Sequence, residues 1–155
     1  MRDGYNVRVI LFDDLRVELN DKLTIVGMHT QGIKLNGTAP AALPQLCLGA
    51  WISYPLSPMP ETIRIIAKGD TLDDPALDTT MSPRQETEPR ATDQSGFRTE
   101  FLTNRWVFPT FNANGTISVD VFADDELIFA AYWPVTIAPN PNPMIPPAIQ
   151  FGPSA

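Results

Sequence analysis

One cysteine, one histidine and nine glycines are a thin supply of reactive and flexible groups for 155 residues. Cys47 alone makes no internal disulfide, and Cys47 with His29 falls short of the three or four His/Cys ligands that a zinc centre takes. Cations are scarce as well: 11 Lys and Arg stand against 18 Asp and Glu, a formal net charge of -7. A chain so poor in cations has little with which to displace counterions from a phosphate backbone, so no nucleic-acid partner is expected. No apolar run approaches the roughly 18–20 residues that cross a bilayer. The polar residues 1–6 lead directly into a strand-like pattern, without the apolar core of a signal peptide. These absences predict a protein that is cytoplasmic when synthesised and has no membrane partner.

What is present is globular in character, with 43% hydrophobic and 19% charged residues. A chain of this length forms one domain by default and buries roughly 70% of its unfolded surface. Apolar residues recur with a period of 2, the period of a half-buried strand. Val7, Val9 and Leu11 alternate along the first run, and Leu15, Val17 and Leu19 along the next. Asn20-Asp21 suits a tight turn, which predicts a hairpin of strands 14–19 and 22–28. Residues 32–35 read as a short strand closed by Asn36-Gly37. Residues 46–54 are apolar throughout, as a central strand should be. Further strands are expected over 62–68, 97–108, 116–122 and 127–137, with 123–126 as a four-residue turn. No segment of 10–15 residues shows helical spacing, which disfavours βαβ units and dinucleotide folds. The expected fold is therefore an all-β antiparallel sandwich, immunoglobulin-like or Greek-key, spanning 1–138.

Two segments depart from this pattern. Residues 69–96 hold seven carboxylates against two arginines, so five of the seven net negative charges sit there. With Pro75, Pro83 and Pro89 and few large apolar residues, the segment reads as a long acidic loop, and long loops are usually functional. Residues 139–155 contain six of the 16 prolines, which favours an extended polyproline-II arm. Ile145, Ile149 and Phe151 are the apolar anchors such an arm would place on a neighbour, and its prolines reduce the ordering cost of docking.

The block Leu11-Phe12-Asp13-Asp14-Leu15-Arg16-Val17-Glu18, followed by Lys22, Leu23 and Gly27, resembles the N-terminal signature of a family of small, uncharacterised bacterial and phage-associated proteins. That signature has a Cys-Asp-Asp-x-Arg-x-Glu block, a glycine turn and a Lys-Leu-Ser/Thr-x-x-Gly strand. Pro40, Leu43, Pro44 and Leu46 resemble the Pro-x-x-Leu-Pro-x-Leu stretch that follows in the family. Phe12 stands where cysteine is common, and Asn20-Asp21 replaces the glycine turn. The likeness covers the first 50 residues. It implies a small sandwich-like protein and brings no catalytic site with it.

Asp13, Asp14, Arg16 and Glu18 form the sharpest charge cluster. Together with Asp124, Asp125 and Glu126 they offer an oxygen-rich set of the kind calcium takes, although no EF-hand spacing is present. The plainer reading is a turn with cross-strand charge pairing. His29, at a strand end, lacks a Gly-x-Ser-x-Gly elbow or a reactive cysteine to serve, so a structural role is expected. Asp73, Asp74, Glu86 and Glu88 suggest either glycosidase carboxylates or, with less demand on burial and rigidity, a solvated loop that faces a partner. Trp51, Trp106 and Trp133 are expected in the core, with Trp106 and Trp133 the better placed to reach the surface as a sugar platform. No catalytic residue, metal or cofactor is assigned. The leading expectation is a non-enzymatic structural or interaction protein, a subunit of a homo- or hetero-oligomeric assembly such as a phage virion. The alternative is a carbohydrate- or calcium-binding module that uses loops at the sandwich end.

Overall fold

The computed structural model describes residues 4–19, 22–83, 93–94 and 96–139. Glu86, Glu88, Ile145, Ile149 and Phe151 lie outside the described residues. Twelve strands run in the order β1 (Asn6–Val17), β2 (Leu23–Met28), β3 (Ile33–Asn36), β4 (Ala41–Ala42), β5 (Gln45–Pro55), β6 (Ile63–Gly69), β7 (Leu77–Met81), β8 (Asp93–Gln94), β9 (Phe97–Val107), β10 (Thr110–Phe111), β11 (Gly115–Ala123) and β12 (Glu126–Ala138). No helix occurs among the described residues.

The strands form two five-stranded sheets, β2-β1-β5-β9-β8 and β3-β12-β11-β6-β7, with a small β10-β4 ribbon. One hydrophobic core lies between the sheets. From the first come Leu11, Leu46, Leu48, Ile52, Tyr54 and Trp106, and from the second Ile33, Ile63, Ile65, Ile117, Val119 and Val121. The alternating pattern of the sequence sets these faces: β11 reads Ile117, Val119, Val121 buried against Ser118, Asp120 and Phe122 half-buried. β5, the strand without polar alternation, is the middle strand of its sheet, flanked by β1 and β9. Its inner row packs in the core, and its outer row at Gly49 and Trp51 is shielded by Phe12 and Phe101 from the flanking strands, so few polar residues are needed.

Three expectations need correction. The fold is all-β but not wholly antiparallel, because β3 pairs parallel with β12 from Ile33 opposite Val135 to Asn36 opposite Ala138. The segments 7–12 and 15–19 are not separate, since β1 runs unbroken from Asn6 to Val17 and Asp13-Asp14 continue its pleat. The acidic stretch 69–96 is not a single loop. Leu77–Met81 forms β7, antiparallel to β6, with Leu77, Thr79 and Met81 half-buried and Asp78 and Thr80 exposed. As an edge strand it needs only one apolar row, so its low hydrophobicity hid it.

The register also fixes the two ends of the molecule. At one end lie the start of β1, the end of β5 and the β11–β12 turn, where Asp124 and Asp125 both have positive φ (49° and 64°). At the other lie the β1–β2 turn, the start of β5, the end of β9 and the last residues of β12.

Candidate functional site

The N-terminal charge cluster lies on the β1–β2 hairpin, and the pleat of β1 divides it. Asp14 accepts from Arg16 Nε at 3.2 Å and from Gln45 Nε2 at 2.9 Å. The Arg16 guanidinium, then the Gln45 amide, holds the Asp14 carboxyl below its usual range. Glu18 accepts from the Thr24 hydroxyl at 2.8 Å. Asp13 points to the opposite face, over Gly27, where a Cβ would collide with its carboxylate. There His29 Nε2 lies 2.9 Å from Asp13 Oδ1. The His29 backbone amide donates to Leu11 O, and its carbonyl accepts from Trp133 Nε1 at 3.1 Å. His29 therefore joins the hairpin to β12. No hydroxyl or thiol among the described residues is hydrogen-bonded to its ring.

The calcium arrangement does not assemble. Asp124 sits at the far end of the sandwich, where its Oδ1 accepts from the Glu61 and Thr62 amides at 2.8 and 3.1 Å. Its carboxylate ties the β11–β12 turn to the segment before β6, a bond available to an aspartate in a left-handed turn. Among the described residues no group of three or more His, Cys, Asp or Glu is placed to hold a metal ion.

Asp73 and Asp74 are bound into the opposite end. Asn112 Nδ2 donates to Asp73 Oδ1, and the Thr110 amide donates to Asp74 Oδ2 at 3.2 Å. Asp70 accepts from the Thr116 amide at 2.7 Å. These carboxylates satisfy backbone and side-chain donors around β10 and at the start of β11, so this part of the acidic stretch ties the β6–β7 connection to the β10-β4 ribbon and to β11.

Trp106 is in the core, as expected of the tryptophans, and does not serve as a surface platform. It is 3% exposed, and its Nε1 donates to Pro75 O at 3.0 Å. Leu46, a core residue, pairs with Trp106, so pleating turns the indole inward. Trp133 is half-buried and packs against the core. Trp51 lies on the outer face of its sheet instead, stacked on Phe101 with centroids 4.4 Å apart. Gly49 beside it leaves room for Phe12 and Phe101, since a Cβ there would sit 3.0 Å from the one and 3.1 Å from the other.

A recess of about 320 Å³ on this outer face is lined by Phe12, Asp14, Gln45, Cys47, Thr103 and Arg105 among others. Burial, reinforced by the Asp14 charge, pushes the Cys47 thiol up, away from thiolate character. The recess thus holds a polar rim around an unactivated thiol.

Sequence reasoning missed the buried ion pair of the fold. Arg98 is 2% exposed and binds Asp93 through Nε–Oδ1 at 2.7 Å and NH2–Oδ2 at 2.8 Å. The two stand opposite each other across β8 and β9. Gly96, with φ of 83°, lies in the turn between them. Ser95-Gly96 flanked by Asp93 and Arg98 was the available signal.

The sequence also gave no warning of how exposed apolar side chains are distributed. Ten large hydrophobic residues are exposed among those described, and five of them (Val17, Leu19, Leu23, Val26 and Met28) lie on the β1–β2 hairpin. Two more, Val107 and Phe108, mark the β9–β10 corner at the same end. Exposed apolar residues scattered singly are normal on a protein surface, whereas here they gather on one hairpin, on both of its faces.

No family model and no curated protein matches this chain.

Proposed function

We propose that this protein is a non-enzymatic structural subunit of an oligomeric assembly, cytoplasmic when synthesised and built into a phage virion or a similar bacterial machine. It works through protein–protein contacts and needs no cofactor, nucleic acid or membrane. The observation that carries the reading is the gathering of exposed aliphatic side chains on the β1–β2 hairpin and the β9–β10 corner. The N-terminal resemblance to phage-associated proteins points the same way. In this reading the sandwich is immunoglobulin-like or Greek-key, and residues 139–155 are a proline-rich arm with Ile145, Ile149 and Phe151 as anchors. The arm follows Ala138, which lies at the hairpin end of the sandwich.

Cross-linking of the full chain in the cells that make it, followed by mass spectrometry, tests the reading. Cross-links from Lys22, on the hairpin, to other protein chains are the expected result. A chain recovered only as an isolated monomer, with no intermolecular cross-link, refutes it. Deleting 139–155 tests the arm separately: light scattering should show a smaller assembly, and an unchanged mass counts against the arm.

A further inference from the structure

β2 is an edge strand with the composition of an internal one. Leu23–Met28 reads Leu-Thr-Ile-Val-Gly-Met, with no charge and no proline. Both of its faces carry apolar residues: Leu23 and Ile25 share one face with Val17 and Leu15, while Val26 and Met28 lie on the other with Phe12. Yet β2 ends its sheet, and no strand among the described residues pairs with its outer edge. Edge strands are normally blunted by lysine, proline or a covering segment, because an open ladder invites another strand. Five of the six residues of β2 are exposed, and none of those protections is present within Leu23–Val26. Gly27, with φ of 69°, interrupts only the far end.

The ladder shows which groups are open. The Glu18 amide donates to Lys22 O at 2.7 Å, which makes Glu18 and Lys22 a hydrogen-bonded pair. Bonded and non-bonded pairs alternate in an antiparallel ladder. Thr24 and Val26 therefore bond inward to β1, and the amides and carbonyls of Leu23 and Ile25 point out from the sheet.

We propose that this edge pairs with the same edge of a second copy, antiparallel about a two-fold axis at Thr24. Leu23 of each copy then faces Ile25 of the other as a hydrogen-bonded pair, and the sheets join across β2 into one continuous sheet. The contact is isologous, so a single strand supplies both sides and the assembly closes. The uncharged run brings no like charges together at the axis, despite a net charge of -7 per chain. An edge-to-edge contact of one short strand stays below the about 1,000 Å² of a standard specific interface. That size fits a weak dimer, with a dissociation constant on the order of micromolar.

The inference rests on the assembly reading and names one of its contacts. Sedimentation of the purified full chain from about 1 to 100 μM tests it. The wild type should pass from monomer to dimer across that range. Ile25→Pro removes an outward amide without touching a bond to β1, and Leu23→Lys places charge on the edge at a half-exposed site. Each should raise the dissociation constant at least about tenfold. Leu127→Lys, exposed at the opposite end of the sandwich, should leave it unchanged. Circular dichroism checks that each variant is folded, and Leu23→Lys stands if Ile25→Pro does not fold. A wild type that stays monomeric throughout overturns the self-pairing, while cross-links to a different protein in cells would still uphold the assembly reading. A dimer that persists in both edge variants overturns the choice of edge and leaves the assembly reading standing.

Discussion

Replacing Asp93 by alanine removes the carboxylate that grips Arg98 through two hydrogen bonds of 2.7 and 2.8 Å. Arg98 is 2% exposed and the Asp93 side chain 9%, so water does not readily replace the lost partner. Breaking a buried pair from one side costs about 3–5 kcal/mol. With a urea m-value of about 2 kcal/mol/M for a protein of this size, the unfolding midpoint should fall by roughly 2 M. Arg98→Met should cost a similar amount. The double variant Arg98→Met/Asp93→Leu removes both charges and fills their volume, and it should recover most of the loss. The two substitutions would then be strongly coupled rather than additive. Urea denaturation of the four proteins, followed by tryptophan fluorescence, measures this. A midpoint for Asp93→Ala within about 0.5 M of wild type, or additive single effects, would falsify the claim that this pair is buried and interdependent.

The Arg64 guanidinium binds Asp78 across β6 and β7 and holds its carboxyl below the ordinary value of 3.8. The folded state then binds the Asp78 proton less readily than the unfolded chain does. The stability this pair adds is complete above about pH 4 and is lost as pH falls through the lowered value. Acid titration of the melting temperature should show that loss, and Asp78→Asn should flatten it; an identical acid profile for the variant would rule the pair out as its source. Cys47 is 5% exposed and its thiol is pushed up, so it should react with a thiol reagent more slowly than a free, exposed cysteine; labelling of the native protein as fast as that of an unfolded control would contradict the placement of this side chain. Gly49→Ala sets a methyl at 3.0–3.1 Å from Phe12 and Phe101 and should destabilise by about 1–3 kcal/mol through overpacking. An unchanged melting temperature would mean that the two rings move apart freely.

Much of this architecture was legible in the sequence because strand periodicity and turn chemistry are local. Ile117, Val119 and Val121 alternate with polar residues wherever they are placed, and Asp124-Asp125 suits a left-handed turn by its own backbone preferences. The continuous apolar run over 46–54 identified a middle strand because a strand flanked on both edges by neighbours with bulky side chains can dispense with most polar residues. The hairpin before and after Asn20-Asp21 was visible for the same local reasons.

Tertiary structure decided what depends on which strand lies beside which. Sequence alone left open whether Trp106 near its strand end faced in or out, and its register against Leu46 turned it inward. Asp13 and Asp14 are neighbours in the chain, but the pleat sends them to opposite faces, one toward His29 and the other toward Arg16 and Gln45. β7 became a strand only because β6 offered it an edge, and β3 found its parallel partner 102 residues along the chain in β12. Most consequentially, the apolar row of Leu15, Val17, Leu23 and Ile25 was written like any core-facing row. The sequence did not reveal that this row is only half-buried at Leu15 and Ile25 and exposed at Val17 and Leu23. Periodicity specifies that a side of a strand is apolar, and only the packing of distant segments determines whether anything covers it.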